Sequence, residues 1–171
     1  MQISEKKAVD AIARNSFIAF VIKVFEFLHP DEPALNPAEY LKAICWLFEN
    51  QLIEGGGRHI IEVPPRHLKS IIASVAFPAW LLGNHPSKAI MIACYSEGLS
   101  RQHSDQFRRL IASQWYKHLF PAMRIAKDGD RLLELKTTRG GSRRAVSVGG
   151  TVTGFGAHFI ILDDCMKAED A

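Results

Sequence analysis

Cysteine is scarce in this chain, with three in 171 residues and no C-x-x-C pair. Cys45, Cys94 and Cys165 stand 49 and 71 residues apart. That spacing supports neither a disulfide framework nor a zinc site, and it suits a reducing cytoplasm. Long apolar runs are missing too. The longest, Ile71 to Leu82, is interrupted by Ser74 and Pro78 and falls short of the roughly 20 residues a membrane span needs. The N-terminus has Lys6 and Lys7, but Lys23 cuts the apolar run behind them and no small-residue cleavage site follows. A signal peptide is therefore not expected.

A strong charge of one sign is also absent. Twenty-one Lys+Arg stand against 18 Asp+Glu, a net +3, so the overall balance favours no class of partner. With 47% hydrophobic and 23% charged residues, disordered, collagen-like and disulfide-stapled classes are excluded. The length suits one domain of roughly 100–200 residues with a real core.

What charge there is lies unevenly. Residues 101–144 hold eleven Lys/Arg and four acids, a local +7. Such a segment either attracts a polyanion through phosphate contacts or is a solvated surface. Arg139, Arg143 and Arg144 flank a glycine loop, and Arg108-Arg109 lie in a helical stretch. All five are candidates for tracking a DNA backbone without base preference.

The first 57 residues read as a helical section. Ser4 is placed to cap a helix with apolar positions at Val9, Ile12, Phe20, Val24 and Phe27. His29-Pro30 ends it, and Asn36-Pro37 reads as an N-cap with proline in the first turn. Leu41, Ile44, Phe48 and Leu52 form the next stripe, stopped by Gly55-Gly56-Gly57. The periodicity then changes. His59–Val63 reads as a strand, followed by Pro64-Pro65-Arg66-His67-Leu68-Lys69-Ser70 and an apolar helix ending near Gly83. Lys88–Cys94 is a second strand. Ser96 caps a helix to about Ser113, and β-like stretches follow at Leu132–Leu135, Ala145–Val148 and Phe159–Leu162. Alternating strand and helix predicts an α/β domain over residues 58–171 with a parallel sheet.

The informative unit is strand, tight loop, Lys-Ser, helix. Free amides and the positive dipole end at a helix N-terminus hold phosphate. The amides of Arg66, His67, Leu68, Lys69 and Ser70 form the expected cradle. Lys69 adds an ammonium for the outer phosphates and Ser70 a hydroxyl for Mg²⁺. A strict P-loop has glycine where this chain has Val63 and Leu68. Leu68 serves there only with negative φ and its side chain turned away. The alternative is a plain strand-to-helix turn with an exposed lysine. Further on, Phe159–Leu162 runs into Asp163-Asp164, as a buried strand delivering carboxylates to its C-terminal edge does. Asp163 suits a Mg²⁺ ligand and Asp164 a proton acceptor for an attacking water. None of the seven histidines, His29, His59, His67, His85, His103, His118 and His158, shows metal-ligand spacing, and all are read as structural or exposed.

Val63-Pro-Pro-Arg-His-Leu-Lys-Ser70, Ala76-Phe-Pro-Ala-Trp-Leu-Leu-Gly83, Ala93-Cys-Tyr-Ser96, Trp115-Tyr, Leu119-Phe-Pro121, Ser147–Thr151, Thr153-Gly154, Gly156-Ala157 and Ile161-Leu-Asp-Asp164 together resemble the large terminase subunit of tailed bacteriophages. The resemblance implies a P-loop NTPase-type, three-layer parallel sheet. Its implied activity is an ATP- and Mg²⁺-dependent motor that packages double-stranded DNA into procapsids. The implied partners are the portal protein and the small terminase subunit, within an oligomeric ring in a host bacterial cytoplasm. It assigns Lys69 and Ser70 to phosphate and Mg²⁺, Asp163 to the metal, Asp164 to catalysis and Arg66 to charge neutralisation. Phe155, His158 and Cys165 depart from the family pattern, which has arginine, aspartate and proline there. The chain ends seven residues past Asp164. On this reading the sheet is incomplete, the phosphate-loop strand lacks its usual neighbours and the nuclease domain is absent. A truncated prophage remnant, or a module that binds nucleotide, DNA or portal without turnover, is the alternative.

Overall fold

The computed structural model describes residues 2–50, 57–148 and 154–165. The N-terminal section is helical, but in two pieces. Helix α1 (Gln2–Asn15) already contains Ser4, so Ser4 is not its cap, and the chain breaks at Ser16, which is extended (φ −124°, ψ 116°). The break lets α2 (Phe17–Leu28) turn Phe17, Phe20, Val21 and Val24 fully inward, while Val9 and Ile12 on α1 stay exposed. Helix α3 (Glu39–Trp46) starts later than Asn36-Pro37 suggests, with Ala38 as the last extended residue. Leu41, Ile44 and Phe48 form the buried stripe, and Leu52 lies outside the described residues.

After the Lys69-Ser70 turn comes a π-helical segment, Ile71–Ala76, continuous with α4 (Phe77–Asn84). Pro78 explains the irregularity. It has no N–H for the carbonyl four residues back, Ser74, and the Phe77 amide bonds to Ile72 instead, one residue beyond α spacing.

Strand β1 (Ala89–Cys94) is followed by α5 (Glu97–Ala112), capped as expected by Ser96, whose Oγ accepts from the Leu99 amide at 3.2 Å. Helix α6 (Gln114–Leu119) is capped likewise by Ser113. The remaining strands are β2 (Ile125–Asp130), β3 (Glu134–Thr137), β4 (Ser142–Ser147) and β5 (Phe159–Asp163), in the sheet order β2-β3-β4-β1-β5. The expected parallel sheet is parallel only where β1 pairs with β4 and β5; β2 and β3 are antiparallel. A short turn cannot join parallel neighbours. The β3–β4 connection is such a turn, with Gly140 at φ +83° and its amide bonded to the Thr137 carbonyl. The fold class is α/β with a five-stranded mixed sheet, compatible with a three-layer arrangement.

The expected strand at His59–Val63 is not formed. Residues 57–64 pair with no strand of the sheet, and Ile60 is 89% exposed. A strand needs a partner to satisfy its backbone, and among the described residues this segment has none.

Helices pack on the sheet face carrying Ile90, Ile92 and Cys94, burying an aromatic cluster between them. Phe17, Phe48 and Phe77 meet with ring centroids 4.6 to 5.9 Å apart, and Phe20 lies against Trp115 and Phe120. On the opposite face, Ile160 and Leu162 of β5 are 63% and 72% exposed. Among the described residues, no helix is long and apolar enough to cross a membrane.

Candidate functional site

The turn before Lys69 carries two left-handed residues, Arg66 at φ +65° and Leu68 at φ +61°, separated by His67. Leu68 therefore takes the conformation glycine usually supplies, contrary to the negative φ expected of it. For an L-residue this costs on the order of 1–2 kcal/mol. The Leu68 side chain packs against the hydrophobic core, which offsets the strain and keeps it out of the turn. Left-handed residues in a tight turn favour the concave arrangement of amides that binds anions. The Leu68 carbonyl accepts from Ile72 at 2.9 Å, fastening the turn to the helix behind it, and the His67 ring meets Tyr40 edge-on.

This turn lies against the C-terminal end of β5. Ser70 Oγ donates to Asp163 Oδ1 at 3.1 Å, and Ser74 Oγ, one helical turn on, donates to Asp163 Oδ2 at 2.6 Å. Residues 93 and 89 apart in sequence thus meet at one carboxylate that is only 3% exposed. Cys94, the last residue of β1, is paired in register with Asp163, so this is the carboxyl edge of the parallel strands, where open α/β sheets hold ligands.

Behind Asp163 lies a buried polar layer. His103 of α5 brings Nδ1 to 3.8 Å from Asp163 Oδ2 and also 3.8 Å from Cys94 Sγ. Arg143 of β4 is buried as well. Its Nη1 donates to Ser104 Oγ and its Nη2 to the Ser74 carbonyl that Pro78 leaves free, its guanidinium carbon lies 4.6 Å from the Phe107 ring centroid, and its Nε has no partner. Burial pulls the Arg143 pKa down to about 9 and raises that of the Cys94 thiol. Burial also lowers the His103 pKa; Asp163 opposes that shift and Arg143 adds to it.

The other expected site residues divide. Lys69 is half-buried and Arg66 exposed, and neither forms an ion pair among the described residues. Asp164 is exposed at φ +51°, and its carbonyl accepts from the Tyr95 amide, prolonging the β1–β5 pairing. Of the five arginines read as DNA contacts, Arg143 is withdrawn by burial, because a guanidinium 2% exposed offers no phosphate a surface. Arg108 is paired with Asp130 at 2.6 Å and Arg144 with Glu134, a contact that also lowers the Glu134 pKa. Arg109 and Arg139 are exposed.

The three residues that depart from the expected pattern each make a contact of their own. The Phe155 ring lies over the Arg144 guanidinium, 3.2 Å from ring centroid to carbon. His158 Nδ1 accepts from the Ala89 amide at 3.0 Å, tying the loop to the start of β1. Cys165 Sγ contacts the Ala93 carbonyl at 3.3 Å.

No family model matches the chain, and neither a curated protein nor a solved structure matches it. The sequence reading missed Ser74, Cys94 and His103. Cys94 and His103 are nine residues apart with a strand end and a turn between them, a spacing that matches no common ligand motif. Ser74 looked like an interruption in an apolar helix, and only the proximity of β5 gives it a function.

Proposed function

We propose that this chain is the nucleotide-binding part of an ATPase motor of terminase type, acting in packaging double-stranded DNA in a bacterial cytoplasm. The observation that carries the reading is the Ser70–Asp163 hydrogen bond, which unites the lysine-serine turn and the aspartate pair. A serine hydroxyl has one proton and two lone pairs. With its proton on Asp163, Ser70 keeps lone pairs for a cation, and Asp163 supplies the opposite charge. That donor set fits Mg²⁺, an oxygen-seeking ion. The amides of residues 66–70 and the Lys69 ammonium, which has no ion pair among the described residues, fit the phosphates.

Bound Mg²⁺-ATP would supply the transferable phosphoryl group. Lys69 and the turn amides would neutralise the phosphates, with Ser70 and Asp163 holding the metal. Asp164, exposed beside them, is the carboxylate available to take a proton from water. Arg66 is placed at the turn to oppose developing negative charge. Portal protein, small terminase subunit and ring assembly belong to the same reading. Arg109 and Arg139 are the exposed arginines left to contact a DNA backbone.

A second reading, binding without turnover, is favoured by residues 57–64. The segment leading into the turn is not paired in the sheet among the described residues. Thermal unfolding with millimolar Mg²⁺-ATP, together with phosphate release, tests both. A ligand at about 100 times its Kd stabilises by about 2.7 kcal/mol. That shift should vanish in Lys69→Ala. Phosphate release lost in the same variant supports the motor, and stabilisation without release supports the binding module. No shift in the wild-type chain sinks both.

A further inference from the structure

We infer that Cys94, His103 and Asp163 form a site for a thiophilic divalent transition-metal ion of the Zn²⁺ class, set between the sheet and α5. This goes beyond nucleotide binding, because it draws on sulfur and imidazole donors that Mg²⁺-ATP does not use. Sγ, a histidine nitrogen and a carboxylate oxygen from the three residues all lie within 4.8 Å of one another, and all three residues are buried. His103 Nδ1 stands 3.8 Å from both Cys94 Sγ and Asp163 Oδ2. Bonds of about 2.0–2.3 Å from a tetrahedral Zn²⁺ put neighbouring donors roughly 3.3–3.7 Å apart. The two contacts of His103 need to close by only a few tenths of an ångström, and the sulfur and the carboxylate oxygen, within 4.8 Å, by about 1 Å at most.

Each donor is held by its own element. Cys94 ends β1, Asp163 ends β5 in direct register with it, and His103 projects from the middle of α5. The carboxylate is further oriented by the Ser70 and Ser74 hydroxyls, the kind of outer hydrogen bond that fixes a ligand's direction. Imidazole nitrogen is a good donor to ions of this class, and His103 is only 7% exposed. On binding, the Cys94 thiol gives its proton to solvent as the sulfur–metal bond forms.

Arg143 decides which metals suit the site. Its buried guanidinium, held by Ser104 and the Ser74 carbonyl, repels any cation. A hard ion such as Mg²⁺ meets the repulsion and gains little from sulfur. A thiophilic ion recovers the loss through the thiolate bond. Three protein ligands leave a fourth position for water or Ser74.

The test is a Co²⁺ titration of the chelator-stripped full chain without nucleotide, so failure of Mg²⁺-ATP binding has no bearing on it. One Co²⁺ per chain should give a sulfur-to-cobalt charge-transfer band in the near ultraviolet, bleached by Zn²⁺ and unaffected by equal Mg²⁺. Cys94→Ser should abolish the band, and Cys45→Ser and Cys165→Ser should keep it. His103→Gln should weaken Co²⁺ binding by at least about tenfold and stands in for Cys94→Ser if circular dichroism shows that variant unfolded. Absence of the band in the wild-type chain overturns the site. So does a band that survives Cys94→Ser, or affinity unchanged in His103→Gln.

Discussion

The aromatic core under α2 and α4 and the polar layer under α5 are equally dry but built in opposite ways. Phe17, Phe20 and Phe77 are fully buried, and each touches several rings, so no single contact defines the arrangement. Around Asp163 the reverse holds: each polar atom has one or two named partners, and one, Arg143 Nε, has none. Volume holds the first region and directed bonds hold the second. Dispersion and burial are forgiving of exact placement, whereas a buried polar group deprived of its partner keeps its full desolvation cost.

The largest effect should come from the aromatic side. Phe77→Ala removes a fully buried ring at the meeting point of α2, α4 and β5 and should cost about 3–5 kcal/mol in urea unfolding. A loss under 1 kcal/mol would show that the core is looser than its packing indicates. Ser74→Ala deletes far fewer atoms but leaves Asp163 Oδ2 without its 2.6 Å donor, and a drop of about 1–3 kcal/mol is expected. If Ser74→Ala is neutral, the polar layer does not depend on directed bonds and the contrast collapses.

Cys45 gives a pH-dependent handle on the apolar region. Burial, with Glu49 adding to it, raises its thiol pKa from 9.0 to about 12. Above pH 9 the unfolded chain loses this proton while the folded chain keeps it. The group's contribution to stability is therefore complete below pH 9 and declines as pH rises toward 12, by up to about 1.4 kcal/mol per unit. Unfolding measured from pH 8 to 10 should show the wild-type chain losing its advantage over Cys45→Ala. Parallel pH curves for the two would refute the shift. The smallest effect belongs to the outer face of β5. Ile160→Ala, at a residue 63% exposed, should change stability by less than about 0.5 kcal/mol. A large loss there would mean that something covers this face in solution.

Much of the fold is legible along the chain because its signals are local. The apolar run Ala89–Cys94, the Ser96 cap, the helix through Ala112 and the strand ending at Asp163 depend on residues a few positions apart. Strand β2, with the sequence Ile-Ala-Lys-Asp-Gly-Asp, has no such signal. It exists only because β3 lies beside it and offers hydrogen-bonding partners. The same reason removes the expected strand at His59–Val63, whose composition is right and which has no partner.

The candidate site divides along the same line. The residue types of the turn, with lysine and serine at a helix start and an acidic pair after an apolar run, are covalent facts and were readable in order. Their meeting at one carboxylate, the left-handed Leu68, the inward turn of Arg143 and the gathering of Cys94 and His103 around Asp163 were not. Sequence by itself determined the helices, the strands with a strong local signal and the chemical groups they carry, because helix caps, apolar periodicity and proline act over a turn or two. Tertiary structure alone decided which groups share a dry space, because burial and hydrogen bonding depend on distance in space, and here that distance closes between residues about 90 apart in the chain.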